Sequence, residues 1–156
     1  MGLLLGIYKR VDLFDQCPVA VKKAKKAMEG HKSKGYVAKA AMQYFNWRFK
    51  YSTIYMVWCV GYLSDEELIV FMRRAKSQLI TDDGAMRRSS TPTSFIIVLD
   101  NLLGEHEQAE VVKGQRLRTS RELETIFSSA GLLIKEKSCA EAMPSTYRDV
   151  MLWALY

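Results

Sequence analysis

Ser52-Thr53-Ile54-Tyr55-Met56-Val57-Trp58-Cys59-Val60, followed by Gly61-Tyr62-Leu63 and then Ser64-Asp65-Glu66-Glu67, is the stretch that decides the fold. The first nine residues form an unbroken run rich in β-branched and aromatic side chains, which predicts a central strand over 52–60 covered on both faces. Ser64 and Glu67 stand at capping-box spacing, where hydroxyl and carboxylate satisfy each other's backbone N–H groups at a helix start. Leu68, Phe71, Met72, Ala75 and Leu79 then recur at three- and four-residue steps, so one stripe faces a sheet while Arg73, Arg74 and Lys76 face water. The unit is a strand, a turn and a covering helix.

Upstream, an apolar run at Val11 to Phe14 ends in Asp15, and Pro18 opens a helix that turns Val19, Ala24 and Met28 inward and closes at Gly30. Gly35 to Met42 reads as a weaker strand. Downstream, residues 81–94 are polar and turn-rich, which predicts an exposed loop; Arg87-Arg88-Ser89-Ser90 within it has the look of a kinase substrate, though basic residues beside serine are common in loops. Phe95 to Leu99 is a further buried strand ending at Asp100-Asn101. A second capping box, Thr119-Ser120-Arg121-Glu122, opens a helix that carries Leu123, Ile126 and Phe127 inward and stops at Gly131. Leu132 to Lys137 and Tyr147 to Leu155 are two final strands joined by a loop containing Pro144. Alternating strands and helices define an α/β domain, and two closing strands with no helix between them predict an antiparallel strand at the sheet edge.

The 156 residues, 49% hydrophobic and 26% charged, have the composition of one globular domain with a single core. The apolar opening is too short to span a bilayer, and Lys9-Arg10 follows it on the wrong side for a signal peptide, so an intracellular protein is expected. Gly6 breaks the myristoylation pattern that Met1-Gly2 begins. Cys17, Cys59 and Cys139 are far apart and form no ligand pair, which reads as three ordinary buried thiols; with His31 and His106 also isolated, no metal site is expected. Of the net charge of +6, Lys22, Lys23, Lys25 and Lys26 are the largest local contribution. They read as a solvated helix face rather than a nucleic-acid patch, because no aromatic residues interleave to stack on bases.

Ile54 to Asp65 looks like the fourth strand and following turn of the protein N-terminal (alpha-amino) methyltransferases, with Trp58, Gly61 and Leu63 in their family places and Thr53 where an aspartate is usual. Ile96-Ile97-Val98-Leu99-Asp100-Asn101 is similar to the fifth strand, and Ser129-Ala130-Gly131-Leu132 and Pro144 to Leu155 also follow the pattern. The resemblance covers almost the whole chain apart from residues 82–93. It implies a Rossmann-like class I methyltransferase sheet with an antiparallel last strand, S-adenosylmethionine as cofactor, and methylation of the α-amino group of proteins beginning Xaa-Pro-Lys. It further implies a cytoplasmic and nuclear location and, as partners, protein N-terminal segments rather than nucleic acid or membrane, with the chain itself a monomer.

The same resemblance assigns site residues. Asp15 ends the first recognisable strand, where a carboxylate accepts hydrogen bonds from ribose hydroxyls. Met42, Gln43 and Val57 fall at cofactor-bordering positions. Trp58 would wall the peptide-amine pocket, and Asp100 and Asn101 would reach the substrate peptide; core packing and strand-end solvation are the plainer readings of Trp58 and Asp15. Arg118 falls where the family has an arginine before the last helix, or is simply a helix-flanking charge.

Methyl transfer needs a neutral amine held in line with the methyl group. The family's usual candidates for the base are a histidine after the fourth strand and an aspartate in the loop after the fifth. Tyr62 stands at the first position, Lys113 at the second, and Glu110 near a further family aspartate. Tyrosine titrates near 10, and a lysine repels the substrate ammonium. Gly2 and Gly6 do not reproduce the GxGxG turn that cradles the cofactor's methionine portion, so residues 1–156 read as a partial domain without the first strand. Direct pairing of the edges left by that strand predicts a six-stranded sheet, the other outcome being poor stability. These departures favour a second function, a catalytically inactive methyltransferase-like binding module; a third, weaker reading, a nucleotide-binding dehydrogenase-like domain, is disfavoured by the adjacent final strands and by the same missing glycine turn.

Overall fold

The computed structural model describes residues 2–81, 94–104, 111–112, 114–139 and 150–156. The chain forms two compact units, Met1–Asn46 and Trp47–Tyr156. Among the described residues no helix is long and apolar enough to cross a membrane, and no cluster of His, Cys, Asp and Glu is placed to hold a metal ion.

In the first unit, α1 (Gly2–Ile7) precedes β1 (Val11–Asp15), α2 (Pro18–Ala27) and β2 (Lys34–Lys39). β1 and β2 pair in parallel, with Leu13 opposite Val37 and Asp15 opposite Lys39. The ladder is irregular between Val11 and Leu13. Nearby, the Asp12 carboxylate accepts the Tyr36 N–H at 2.7 Å and Arg10 Nε at 2.9 Å. A Cβ at Gly35 would stand 2.0 Å from Asp12 Oδ1, so the close approach depends on the missing side chain. α2 buries Val21, Ala24 and Met28, whereas Val19, expected inside, is 60% exposed. Two residues from Val21 is some 200° around a helix, which puts Val19 on the outer face. β2 ends before Ala40, and Met42–Tyr44 forms a 3₁₀ turn instead of continuing the expected strand.

The second unit contains β3 (Thr53–Val57), α3 (Asp65–Ser77), β4 (Phe95–Asn101), β5 (Val111–Val112), β6 (Gln115–Arg116), α4 (Ser120–Ser129), β7 (Ile134–Cys139) and β8 (Val150–Leu155). Its main sheet runs β3-β4-β8-β7, with β3 and β4 parallel and β8 antiparallel to both neighbours. The antiparallel strand expected at the edge is therefore interior to this sheet, and β7 is the edge. β5 and β6 form a small antiparallel hairpin for which no sequence pattern prepares.

Both capping boxes form: Ser64 Oγ accepts the Glu67 N–H at 3.2 Å, and Thr119 Oγ1 accepts the Glu122 N–H at 3.2 Å. The α3 stripe of Leu68, Phe71, Met72, Ala75 and Leu79 is buried as expected. Phe127 of α4 meets Trp153 of β8 edge to face, with centroids 5.7 Å apart. Arg73 donates to the Ser129 carbonyl at 2.8 Å and Lys76 to that of Gly131, whose φ of 77° turns the chain away after α4.

Three further expectations are corrected. β3 is neither central in its sheet nor covered on both faces: it is an edge strand, with Tyr55 and Val57 exposed while Ile54 and Met56 are buried. β1 pairs with β2 and β3 with β4 in separate sheets, so the six-stranded sheet is not formed. The cysteines are not buried; Cys17 precedes α2 on the surface, Cys139 ends the exposed strand β7, and Cys59 is half-buried. Residues 82–93, including Arg87-Arg88-Ser89-Ser90, and the loop around Pro144 lie outside the described residues.

Candidate functional site

In the second unit, the site is built where β3 and β4 end together. Their parallel register sets Val57 beside Leu99, and the Trp58 N–H extends it by donating to the Leu99 carbonyl at 2.9 Å. Trp58 then adopts a φ of 49°, among the described residues the one non-glycine in the left-handed region. Such a backbone costs about 1–3 kcal/mol and persists only where surrounding contacts enforce it. One of those contacts is Gln115 Nε2, which donates to the Trp58 carbonyl at 3.3 Å. The reversal ends β3 three residues earlier than expected and leaves the indole 37% exposed, not in the core.

The chain next enters a 3₁₀ turn, Val60–Tyr62, clamped by two buried charges. Asp100, 5% exposed, accepts the Val60 N–H at 3.1 Å on Oδ2 and the Asn101 N–H at 2.9 Å on Oδ1. Burial pushes its carboxyl above the usual range, opposed by the backbone donors of Asn101, Val60 and Cys59 and by the Arg118 charge. From the other side Arg118, 2% exposed, donates to the carbonyls of Val60 at 3.1 Å and Leu63 at 2.6 Å and to Asp65 Oδ1 at 2.8 Å. Asp65 sits in the first turn of α3, where a carboxylate also favours the helix dipole, and Arg116 approaches it at 3.5 Å. Gly61 fits because a Cβ there would lie 3.0 Å from the Arg116 carbonyl of β6.

Tyr62 projects from this clamped turn with 49% of its surface exposed. Asn101, the last residue of β4, has a buried Oδ1 with no hydrogen-bond partner among the described residues. A buried acceptor of this kind is costly unless something donates to it. Trp58, Tyr62, Asp100 and Asn101 are therefore gathered at one end of the β3–β4 pair, with Val57 one residue before the reversal and 45% exposed. Lys113 and Glu110 lie outside the described residues. Sequence reasoning overlooked the parts played by Arg118, Gln115 and Asp65. An arginine beside a capping threonine carries no mark of burial, and the family position before the last helix was its one pointer.

In the first unit, Asp15 closes β1 and Met42–Gln43 begin the turn after β2, so all three lie at the same, carboxyl end of that parallel pair. Asp15 Oδ1 accepts the Cys17 N–H at 2.7 Å, which fixes the carboxylate at the start of α2. Met42 and Gln43 are half-buried. The corner offers a carboxylate and two half-buried side chains beyond the strand ends, the place where ligands of open α/β sheets bind. The residues do not match the methionine portion: Gly2 and Gly6 lie inside α1, and a Cβ at Gly6 would meet nothing within 4 Å.

Parallel strands crossed by helices, closed by an antiparallel strand beside β4, define the α/β fold of class I S-adenosylmethionine-dependent methyltransferases. The family described as AdoMet-dependent proline di-methyltransferase matches residues 1–156, and the chain belongs to it. N-terminal Xaa-Pro-Lys N-methyltransferase 1 of Rattus norvegicus is 26% identical over 155 residues, 98% of this chain and 65% of that protein. The chain thus spans less than two-thirds of the length of this curated relative. Among solved structures, a SAM-dependent methyltransferase of Leishmania major superposes with a TM-score of 0.82 at 20% identity, covering 99% of this chain and 58% of that one. A further one, from Clostridium acetobutylicum, gives 0.72 at 10% identity, covering 97% and 76%.

Proposed function

We propose that the chain carries the nucleoside-binding and amine-positioning parts of a methyltransferase that modifies the α-amino group of proteins beginning Xaa-Pro-Lys. The observation that carries this reading is the buried Asn101 Oδ1, without a hydrogen-bond partner among the described residues, at the strand end that Trp58 borders. A peptide N–H is the complementary donor for that oxygen, and the indole face suits a prolyl ring or the methyl-bearing amine beside it. S-adenosylmethionine, when bound, supplies an electrophilic methyl group on its sulfonium. Asp15 would accept the ribose hydroxyls and Met42 and Gln43 would border the adenine.

Asp100 contributes indirectly in this reading: both its oxygens already hold backbone N–H groups, so it fixes the turn that presents Tyr62. The Tyr62 hydroxyl is a hydrogen-bond partner for the amine, and no histidine stands at its place to act as a base. The substrate then enters as the neutral minority of its own titration, with a reference pKa of about 8.

A second reading, a methyltransferase-like module that binds protein N-termini without modifying them, is favoured by Tyr62 and Lys113 standing where the family carries its candidate bases. One experiment separates the two. The chain is incubated with S-adenosylmethionine and a peptide beginning Ser-Pro-Lys, and the peptide is weighed by mass spectrometry. Methylated α-amine supports the enzyme. Unmodified peptide at stoichiometric protein that still binds, and loses binding when its terminus is acetylated, supports the module. Absence of both binding and methylation removes both readings.

A further inference from the structure

The formal charge of +6 is not spread evenly over the chain. The first unit, residues 1–46, holds nine Lys and Arg against three Asp and Glu, while the second, residues 47–156, holds fourteen of each. The whole excess therefore resides on the smaller unit. Arg10 is paired there with Asp12. The seven lysines from Lys22 to Lys39 are exposed, and none pairs with a carboxylate among the described residues.

Four of these lysines stand on α2, opposite Val21, Ala24 and Met28. Lys22, Lys25 and Lys26 are neighbours at three- and four-residue steps, so like charges crowd one face at a cost of a few tenths of a kcal/mol per pair. Glu29 is the one acid between Gln16 and Ser52, and it too forms no ion pair among the described residues. Lys25, Lys26 and Lys34 rim a recess of about 310 Å³ whose remaining lining is Glu29, Gly35 and Val37.

We propose that this recess and its lysine rim form a docking surface for an acidic segment of a partner protein. The rim supplies uncompensated positive charge, and the recess is concave, with Val37 offering an apolar contact and the Glu29 carboxylate an acceptor for a peptide N–H. A glutamate- or aspartate-rich stretch with an occasional apolar residue matches all three. Nucleic acid matches fewer: no aromatic ring lines the recess for base stacking, and no arginine offers a phosphate fork. The surface lies wholly in the first unit and needs no methyl transfer, so its test is independent of the proposed reaction.

Binding of the full chain to a labelled peptide of glutamates interrupted by leucines, followed by fluorescence anisotropy, tests the proposal. The comparison probes are the same peptide with glutamine for glutamate and a DNA duplex. Saturable binding of the acidic peptide, weakened by added salt and tighter than either comparison probe, is expected. The triple variant Lys25→Glu/Lys26→Glu/Lys34→Glu should weaken it at least about tenfold, and the milder Lys25→Gln/Lys26→Gln/Lys34→Gln, whose side chains suit helix and surface alike, by less. Arg121→Glu, on α4 of the second unit, should leave it unchanged. Equal binding of the glutamine peptide, tighter binding of the duplex, or undiminished affinity in both triple variants with native circular dichroism would overturn the proposal.

Discussion

Arg118 directs its guanidinium at Val60, Leu63 and Asp65 while almost wholly removed from water. Asp65 is partly exposed and its share of the attraction is screened, so the energetic weight falls on the two carbonyls, of which Val60's would keep only a 3.4 Å bond from the Leu63 N–H. Arg118→Met should lower stability in urea by about 2–4 kcal/mol, and Arg118→Lys should recover little, since one ammonium cannot span the three acceptors. A loss below about 0.5 kcal/mol would show that the clamp is dispensable. Asp100 has the opposite electrostatic sense. Its folded-state pKa is raised, so the native state holds the proton more tightly than the unfolded chain does. Its contribution to stability is therefore greatest below the unfolded value near 4 and declines as pH rises through the folded one. The stability of the native protein relative to Asp100→Asn should accordingly fall as pH rises above the unfolded value, and a difference that grows with pH would reverse the assignment. Trp58→Gly removes the left-handed strain together with the indole. Stability should change by less than about 1 kcal/mol while binding of a Pro-Lys peptide is lost, which calorimetry reads directly.

The helices were legible because their signals are local. Ser64 with Glu67 and Thr119 with Glu122 announce capping boxes, and both form; the three- and four-residue stripe of α3 names its own buried face. Strand ends were less legible. Nothing in Val57-Trp58-Cys59-Val60 marks a reversal, because a tryptophan with positive φ is imposed by the Leu99 and Gln115 contacts from far along the chain. The exposure of Tyr55 and Val57 was likewise hidden, since an unbroken apolar run looks the same whether a neighbour covers it or not. The tight approach of β6 to the Val60–Tyr62 turn carries its own expectation. Gly61→Ala pushes a methyl group to 3.0 Å from the Arg116 carbonyl and should displace β6 from that turn, with a cost of about 1–3 kcal/mol in thermal unfolding. A Gly61→Ala variant as stable as the parent would mean that the hairpin yields freely.

Across the whole chain, the alternation of strands and helices and the helix-free final pair were enough to read the fold class, whereas the division into two units and their unequal charge were not visible in local patterns. The candidate site was legible where the family resemblance supplied names, at Trp58 and Asn101, and silent where long-range packing sets the geometry, as at Arg118. If the proposed reaction proceeds without a protein base, kcat/KM for a Ser-Pro-Lys peptide should climb about tenfold per pH unit until the amine's own pKa near 8 and then level off. A plateau already reached by about pH 6.5 would reveal a base that neither Tyr62 nor Lys113 provides.

The position of β8 between β4 and β7 has a consequence for the order of events during synthesis. Val150–Leu155 emerges after every other strand of its sheet, yet it bridges the two that flank it. Until that segment leaves the ribosome, β4 can associate only with β3, and β7 has no partner in the sheet at all. The nascent protein must therefore keep the edge of β4 that will receive Trp153 unpaired from the synthesis of Phe95–Asn101 until that of Val150–Leu155, a span in which a chaperone or a neighbouring polypeptide has its best opportunity to intervene.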